Sequence, residues 1–183
     1  MTRIPRTYHP LLCAMMLAIA TSAHANSECS LRPPRAVLQS NAYADQTLKR
    51  QDPNRMKESV TVRRGLRLEV TQSQCEDLIT TTFTFVVPRK PGSETGEKYW
   101  IDFARTEIGK LRTTDSSTRF SEMNSFLARA NTIAPRGGTR SICKDNSAAE
   151  AGECSWESLG GFIFEVKHGK SETRVSVTEY TSA

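Results

Sequence analysis

Cys143 and Cys154, at the ends of CKDNSAAEAGEC, are by type among the residues best suited to chemistry in this chain. A thiolate pair can hold a metal, exchange electrons or close a loop. Structural zinc sites space their cysteines two to four residues apart and add further ligands, whereas ten residues intervene here. The same spacing excludes a Cys-X-X-Cys redox motif. A loop clamp remains, and the clamped residues are small and acidic: Asp145, Glu150 and Glu153, with Glu157 just beyond. A rigid acidic loop suits recognition better than catalysis, because holding it in place lowers the entropy cost of binding.

Histidine narrows the chemistry further. His9 and His24 fall in a leader, which leaves His168 in VKHGK, a setting that reads as a hairpin turn. A Ser-His-Asp or Cys-His nucleophilic site would have to use that one residue, and a multi-histidine metal site is excluded by count. No cofactor is expected. The chain carries no Gly-rich phosphate loop, no Gly-X-Ser-X-Gly elbow and no metalloprotease motif.

Paired carboxylates need no histidine. Glu94, Glu97, Asp102 and Glu107 lie in or beside a helical stretch with Tyr99 and Trp100, the residue types of a glycosidase-like acid and base over an aromatic floor. Helical spacing turns the aromatics inward and leaves acids on such a helix solvated.

Cations give the best binding signal. Lys49, Arg50, Arg55, Lys57, Arg63, Arg64 and Arg67 crowd one segment, balanced only by Asp52 and Glu58. Arg63, Arg64 and Arg67 fall on a predicted hairpin, the first two at its tip and Arg67 opposite in phase to Leu66 and Leu68. A positive face of this kind meets an acidic protein or an anionic envelope component. It also blunts a strand edge against aggregation. Nucleic acid is not expected, since no aromatic residues interleave with the basic ones.

The leader sets the compartment. Arg3 and Arg6 precede an apolar run from Leu11 to Ala20 and then Ala23-His24-Ala25, the pattern of a secretory signal peptide over residues 1–25 with cleavage after Ala25. Cys13 leaves with it. Residues 26–183 form one expected domain, periplasmic or secreted, with no segment apolar enough to span a bilayer. Lys and Arg number 25 against 20 Asp and Glu, a formal charge of +5 that falls to +3 once Arg3 and Arg6 depart. Cys29, Cys75, Cys143 and Cys154 remain, an even number in an oxidising compartment. Three pairings are open to them. Cys143–Cys154 with Cys29–Cys75 is preferred because a short loop meets itself most often, and the chain-entropy model gives roughly 3 and 4 kcal/mol for the two.

Periodicity supplies the scaffold. Ala36 to Gln39 reads as a short strand inside a Pro-rich connection. KESVTVRRGLRLEVTQ alternates as a hairpin turning at Arg64-Gly65, and DLITTTFTFVVP places Ile79, Thr81, Phe83, Phe85 and Val87 on one face. From about Ser93 to Arg112 the period becomes helical through Tyr99, Trp100, Phe103, Ile108 and Leu111. After TTDSST, a second helix carries Phe120, Met123, Phe126, Leu127 and Ala130 and stops near Pro135 to Gly138. Phe162, Phe164 and Val166, then Val175 and Val177, make a closing hairpin. The order βββ-αα-ββ predicts an α+β fold: an antiparallel sheet of about five strands with two helices on one face.

The expected function is a small, exported, non-enzymatic binding protein acting on a protein or envelope component, specifically an inhibitor or immunity-type protein. The alternative is an envelope hydrolase using carboxylate acid/base chemistry.

Overall fold

Alternating burial shapes the strands that carry the core. The computed structural model describes residues 33–39, 43, 45–75, 78–89, 96–114, 118–130, 132, 139–143 and 160–182. Strand β2 (Arg55–Arg63) buries Met56, Glu58 and Val60, and β3 (Leu66–Cys75) buries Leu66, Leu68 and Val70 in the same phase. Strand β4 (Leu78–Pro88) adds Thr81, Phe83 and Phe85. The closing hairpin, β6 (Gly160–His168) and β7 (Glu172–Ser182), adds Phe162, Phe164, Val175 and Val177. Directly opposed residues share a face. Val60, Leu68, Phe85, Val175 and Val166 therefore line up in one apolar row across five strands.

The sheet has seven strands, not about five. Strands β1 (Thr47–Asp52) and β5 (Thr139–Cys143) are added at its two edges, in the antiparallel order β1-β2-β3-β4-β7-β6-β5. Residues 36–39, read as a strand, belong to none. They lie over the core side of β2 and β3 instead, held by Glu58, while Gln72 holds Arg35 beside them.

Helices α1 (Glu97–Thr114) and α2 (Thr118–Ala130) cover the apolar face. Trp100, Ile101, Ala104, Ile108 and Leu111 of α1 are buried, as are Phe120, Met123, Phe126, Leu127 and Ala130 of α2. Tyr99, expected inward, is half exposed, and Ile101 takes the inward place. Phe83 meets Phe120 edge to face at 5.6 Å, and Phe126 stacks on Phe162 at 5.2 Å, each pair adding about 1 kcal/mol beyond its burial. The α+β class and the order βββ-αα-ββ of the core elements are those the periodicity predicts.

The opposite face is polar. Thr71, Thr82 and Thr178 form one cross-strand row, and Thr84 and Ser176 sit beside it. Hydroxyl pairs at 3.0 Å, Thr82 with Thr178 and Thr84 with Ser176, knit β4 to β7 there.

Candidate functional site

The β2–β3 turn is built by Arg64 and Gly65, with Gly65 at φ +76°, a left-handed conformation that glycine takes without strain. Just before it the register slips by one residue: Thr61 opposes Arg67, but Arg63 opposes Leu66. That bulge turns Arg63 to the helical face, where its Nη2 lies 2.9 Å from Glu107 Oε1 on α1. Lys110 Nζ reaches the same oxygen at 2.9 Å. Burial alone pushes the Glu107 carboxyl up, but these two cations outweigh it and hold the group below the ordinary glutamate range. Arg63 thus ties the hairpin to α1.

Arg67 points to the polar face, as its phase predicts, and meets Glu69 at 3.1 Å. Glu69 is buried and also takes Lys57 at 3.1 Å and the Arg174 guanidinium from β7. Burial raises this carboxyl too, and the Lys57 and Arg174 hydrogen bonds overcome it, so Glu69 stays ionised below the ordinary range. Arg64 forms no ion pair among the described residues, so of the three arginines singled out it is the one left to solvent.

The structure adds cations that lie far away in sequence. Val86 opposes both Arg67 and Arg174, and Arg174 opposes Lys167, so one row crosses β3, β4, β7 and β6. At the same end, Arg89 follows β4, donates its backbone N–H to Ser171 O at 2.9 Å and sends Nη1 to Gly169 O at 3.0 Å. Lys170 sits in that β6–β7 turn, exposed. Like Arg64, neither Arg89 nor Lys170 forms an ion pair among the described residues. Between these turns lies an open cleft of about 310 Å³, lined by Gly65, Leu66, Ser171 and Arg67 and floored by Val86 and Pro88. Sequence reasoning reached one side of this site and missed Arg89, Lys170 and Arg174, because only the pairing of β4 with β7 brings them there.

Among the described residues, the carboxylates of α1 do not form a pair. Glu97, Asp102 and Glu107 stand five residues apart, so each is turned about 140° from the next around α1. Glu97 is gripped by Arg140 of β5 at 2.8 and 3.0 Å, Glu107 is neutralised as above, and Asp102 lines a groove with Arg105, Thr106, Gly109 and Asn124. Glu94 lies outside the described residues. His168 ends β6, with Nδ1 3.1 Å from Thr173 Oγ1 and its ring 6.0 Å from Trp100. Among the described residues no group of three His, Cys, Asp or Glu could hold a metal ion, and no helix is long and apolar enough to cross a membrane.

Cys75 is disulfide-bonded at the exposed end of β3. Cys143 ends β5, with β6, β7 and β4 between it and Cys75. At strand spacing that is roughly 19 Å, far beyond the 7 Å a disulfide spans, so the pairing Cys75–Cys143 is excluded. Cys29 and Cys154 lie outside the described residues, as do residues 1–25, read as a leader.

Glu69 and Glu107 predict the acid response. Their folded pKa values lie below the unfolded value of about 4.5, so their contribution is complete above that pH and is lost as pH falls through the folded values. Urea midpoints measured from pH 7 to pH 3 should fall steeply below about pH 4.5. The E69Q/E107Q variant, weaker at pH 7, should fall less over that interval. An equal fall in both proteins would remove this assignment.

Compared with known proteins, the chain matches no family model, no curated protein and no solved structure, so the geometry at the basic end of the sheet carries the functional reading.

Proposed function

We propose that this chain is a small exported, non-enzymatic binding protein, periplasmic or secreted, that engages a protein or an anionic envelope component through the basic end of its sheet. Its specific form is an inhibitor or immunity-type protein. One observation carries the reading: Arg64, Arg89 and Lys170, without ion-pair partners among the described residues, come from three separate segments and each adjoins in sequence a residue that lines one cleft, Gly65, Pro88 and Ser171. Cations that only solubilise a surface need no common location, whereas a shared position concentrates potential and steers an acidic partner. The carboxylates support the same reading from the other side, since two of the three described on α1 are committed to arginines and none faces another.

The site moves the interface from the hairpin to the sheet end. Arg63 and Arg67 hold carboxylates of this chain, so their reversal would disturb the fold together with any binding. Arg64→Glu, Arg89→Glu and Lys170→Glu combined break no described ion pair. That triple variant should fold, as judged by circular dichroism, and should lose partner capture from envelope extract by about tenfold or more at low salt. Capture that survives the triple reversal would remove the basic end as the interface.

A further inference from the structure

We infer that the cleft at the basic end receives an apolar side chain presented by an acidic polypeptide segment of a partner protein. This rests on the binding reading above and names the chemistry of its partner. The lining carries the argument. Val86 and Pro88 give the cleft an apolar floor, while Thr61 and Ser171 stand at its rim. Glu172, the acid in the lining, is compensated by Arg174 Nη1 at 2.8 Å. A cleft of about 310 Å³ has room for one or two side chains, the pocket-and-anchor arrangement on which protein interfaces concentrate their binding energy.

The surrounding charge selects the flanks. Arg64, Arg89 and Lys170 adjoin the lining residues Gly65, Pro88 and Ser171 in sequence, so acidic residues either side of the anchor would meet cations at the same sheet end. Arg89 is positioned by its bond to Gly169 O. A polyanionic glycan would use the cations and leave the apolar floor unfilled. A membrane surface calls for apolar side chains that insert. The exposed large apolar residues among those described are Leu48, Leu78 and Tyr99, and none lies in the three turns.

The test uses the purified exported protein and a random twelve-residue peptide library displayed on phage, with phosphatidylglycerol vesicles and polyphosphate as separate probes. Selected peptides are expected to share Leu, Ile, Phe or Met flanked by Asp or Glu. Their affinity should drop about tenfold or more in Thr61→Trp and in Ser171→Trp, which place an indole at the rim without changing charge. Both positions are exposed, so the two variants check each other for folding. Selected peptides that are acidic but lack a shared apolar residue, or that bind both tryptophan variants undiminished, overturn the inference and leave the basic-end reading intact. So does a selection that yields no peptide, or binding confined to vesicles or polyphosphate. Selected peptides indifferent to the triple charge reversal would overturn both.

Discussion

Gly160→Ala is expected to destabilise the protein by about 3 kcal/mol or more, the sum of left-handed strain and overpacking at one position. Gly160 opens β6 at φ +127° and pairs with Thr181 of β7. A Cβ built there would stand 2.2 Å from the Tyr180 carbonyl oxygen and 3.0 Å from Thr181 Cα. Both are backbone atoms, so no side chain can rotate away to make room. The start of β6 must separate from β7, and β5 hangs on β6 alone in the sheet order. For a domain of this size the loss corresponds to a fall in Tm of roughly 6–12 °C. Gly109 is the internal control: it lies within α1 with nothing within 4 Å of its built Cβ, so Gly109→Ala should stabilise by about 0.5–1 kcal/mol. Thermal melts of the two variants should move in opposite directions. A G160A protein that melts with the parent would show that β6 does not approach β7 as described.

The elements that periodicity revealed and those it missed differ in one physical respect. Strands β2, β3, β4, β6 and β7 each press one face on the helices, and burial on one face writes alternation into a sequence. Strand β1 is exposed at every position, Leu48 included, so nothing selects its alternate residues and it reads as a connection. Strand β5 is five residues long and pairs on one side only. Both omissions are edge strands. The helices show a finer ambiguity: Tyr99 and Ile101 flank Trp100, and either phase satisfies a helical period until the sheet decides which turns inward.

The candidate site was legible by parts. Arg64 in a glycine turn and Arg67 out of phase with Leu66 and Leu68 follow from local pattern alone. Arg63 does not, because a single-residue bulge reverses its face and alternation carries no record of a bulge. Arg89 and Lys170 are cations beside predicted turns, and nothing local tells which turns will meet. That depends on β7 inserting beside β4, a pairing between segments some ninety residues apart, and strand order is not written in hydrophobic period.

Glu58 supplies the second large effect and shows how a charge can belong to a core. It lies in the buried phase of β2, between Met56 and Val60, and is 1% exposed. An unpaired carboxylate there would be untenable, but this one receives three hydrogen bonds: from the N–H of Val37 at 2.5 Å, the N–H of Leu38 at 3.1 Å and the side-chain amide of Gln46 at 2.9 Å. Residues 33–39 cannot pair as a strand and still lie over the sheet, so Glu58 satisfies backbone donors that a ladder would otherwise take. Gln72 does the same for Arg35 at 3.0 Å, and Leu38 fills the core between them. Glu58→Ala therefore removes the acceptor and leaves three donors unmatched, at a cost of about 3–5 kcal/mol given roughly 1–3 kcal/mol per orphaned donor. Glu58→Gln retains one acceptor and presents an amide to a neighbouring donor, so its loss should fall between parent and alanine. Denaturation will rank the three proteins, and limited proteolysis will locate the change. Cleavage within residues 33–39 should accelerate in E58A before the sheet itself is cut, because that segment is released first. An E58A protein within about 1 kcal/mol of the parent would mean that residues 33–39 are held by Leu38 burial and Gln72, with Glu58 a spectator.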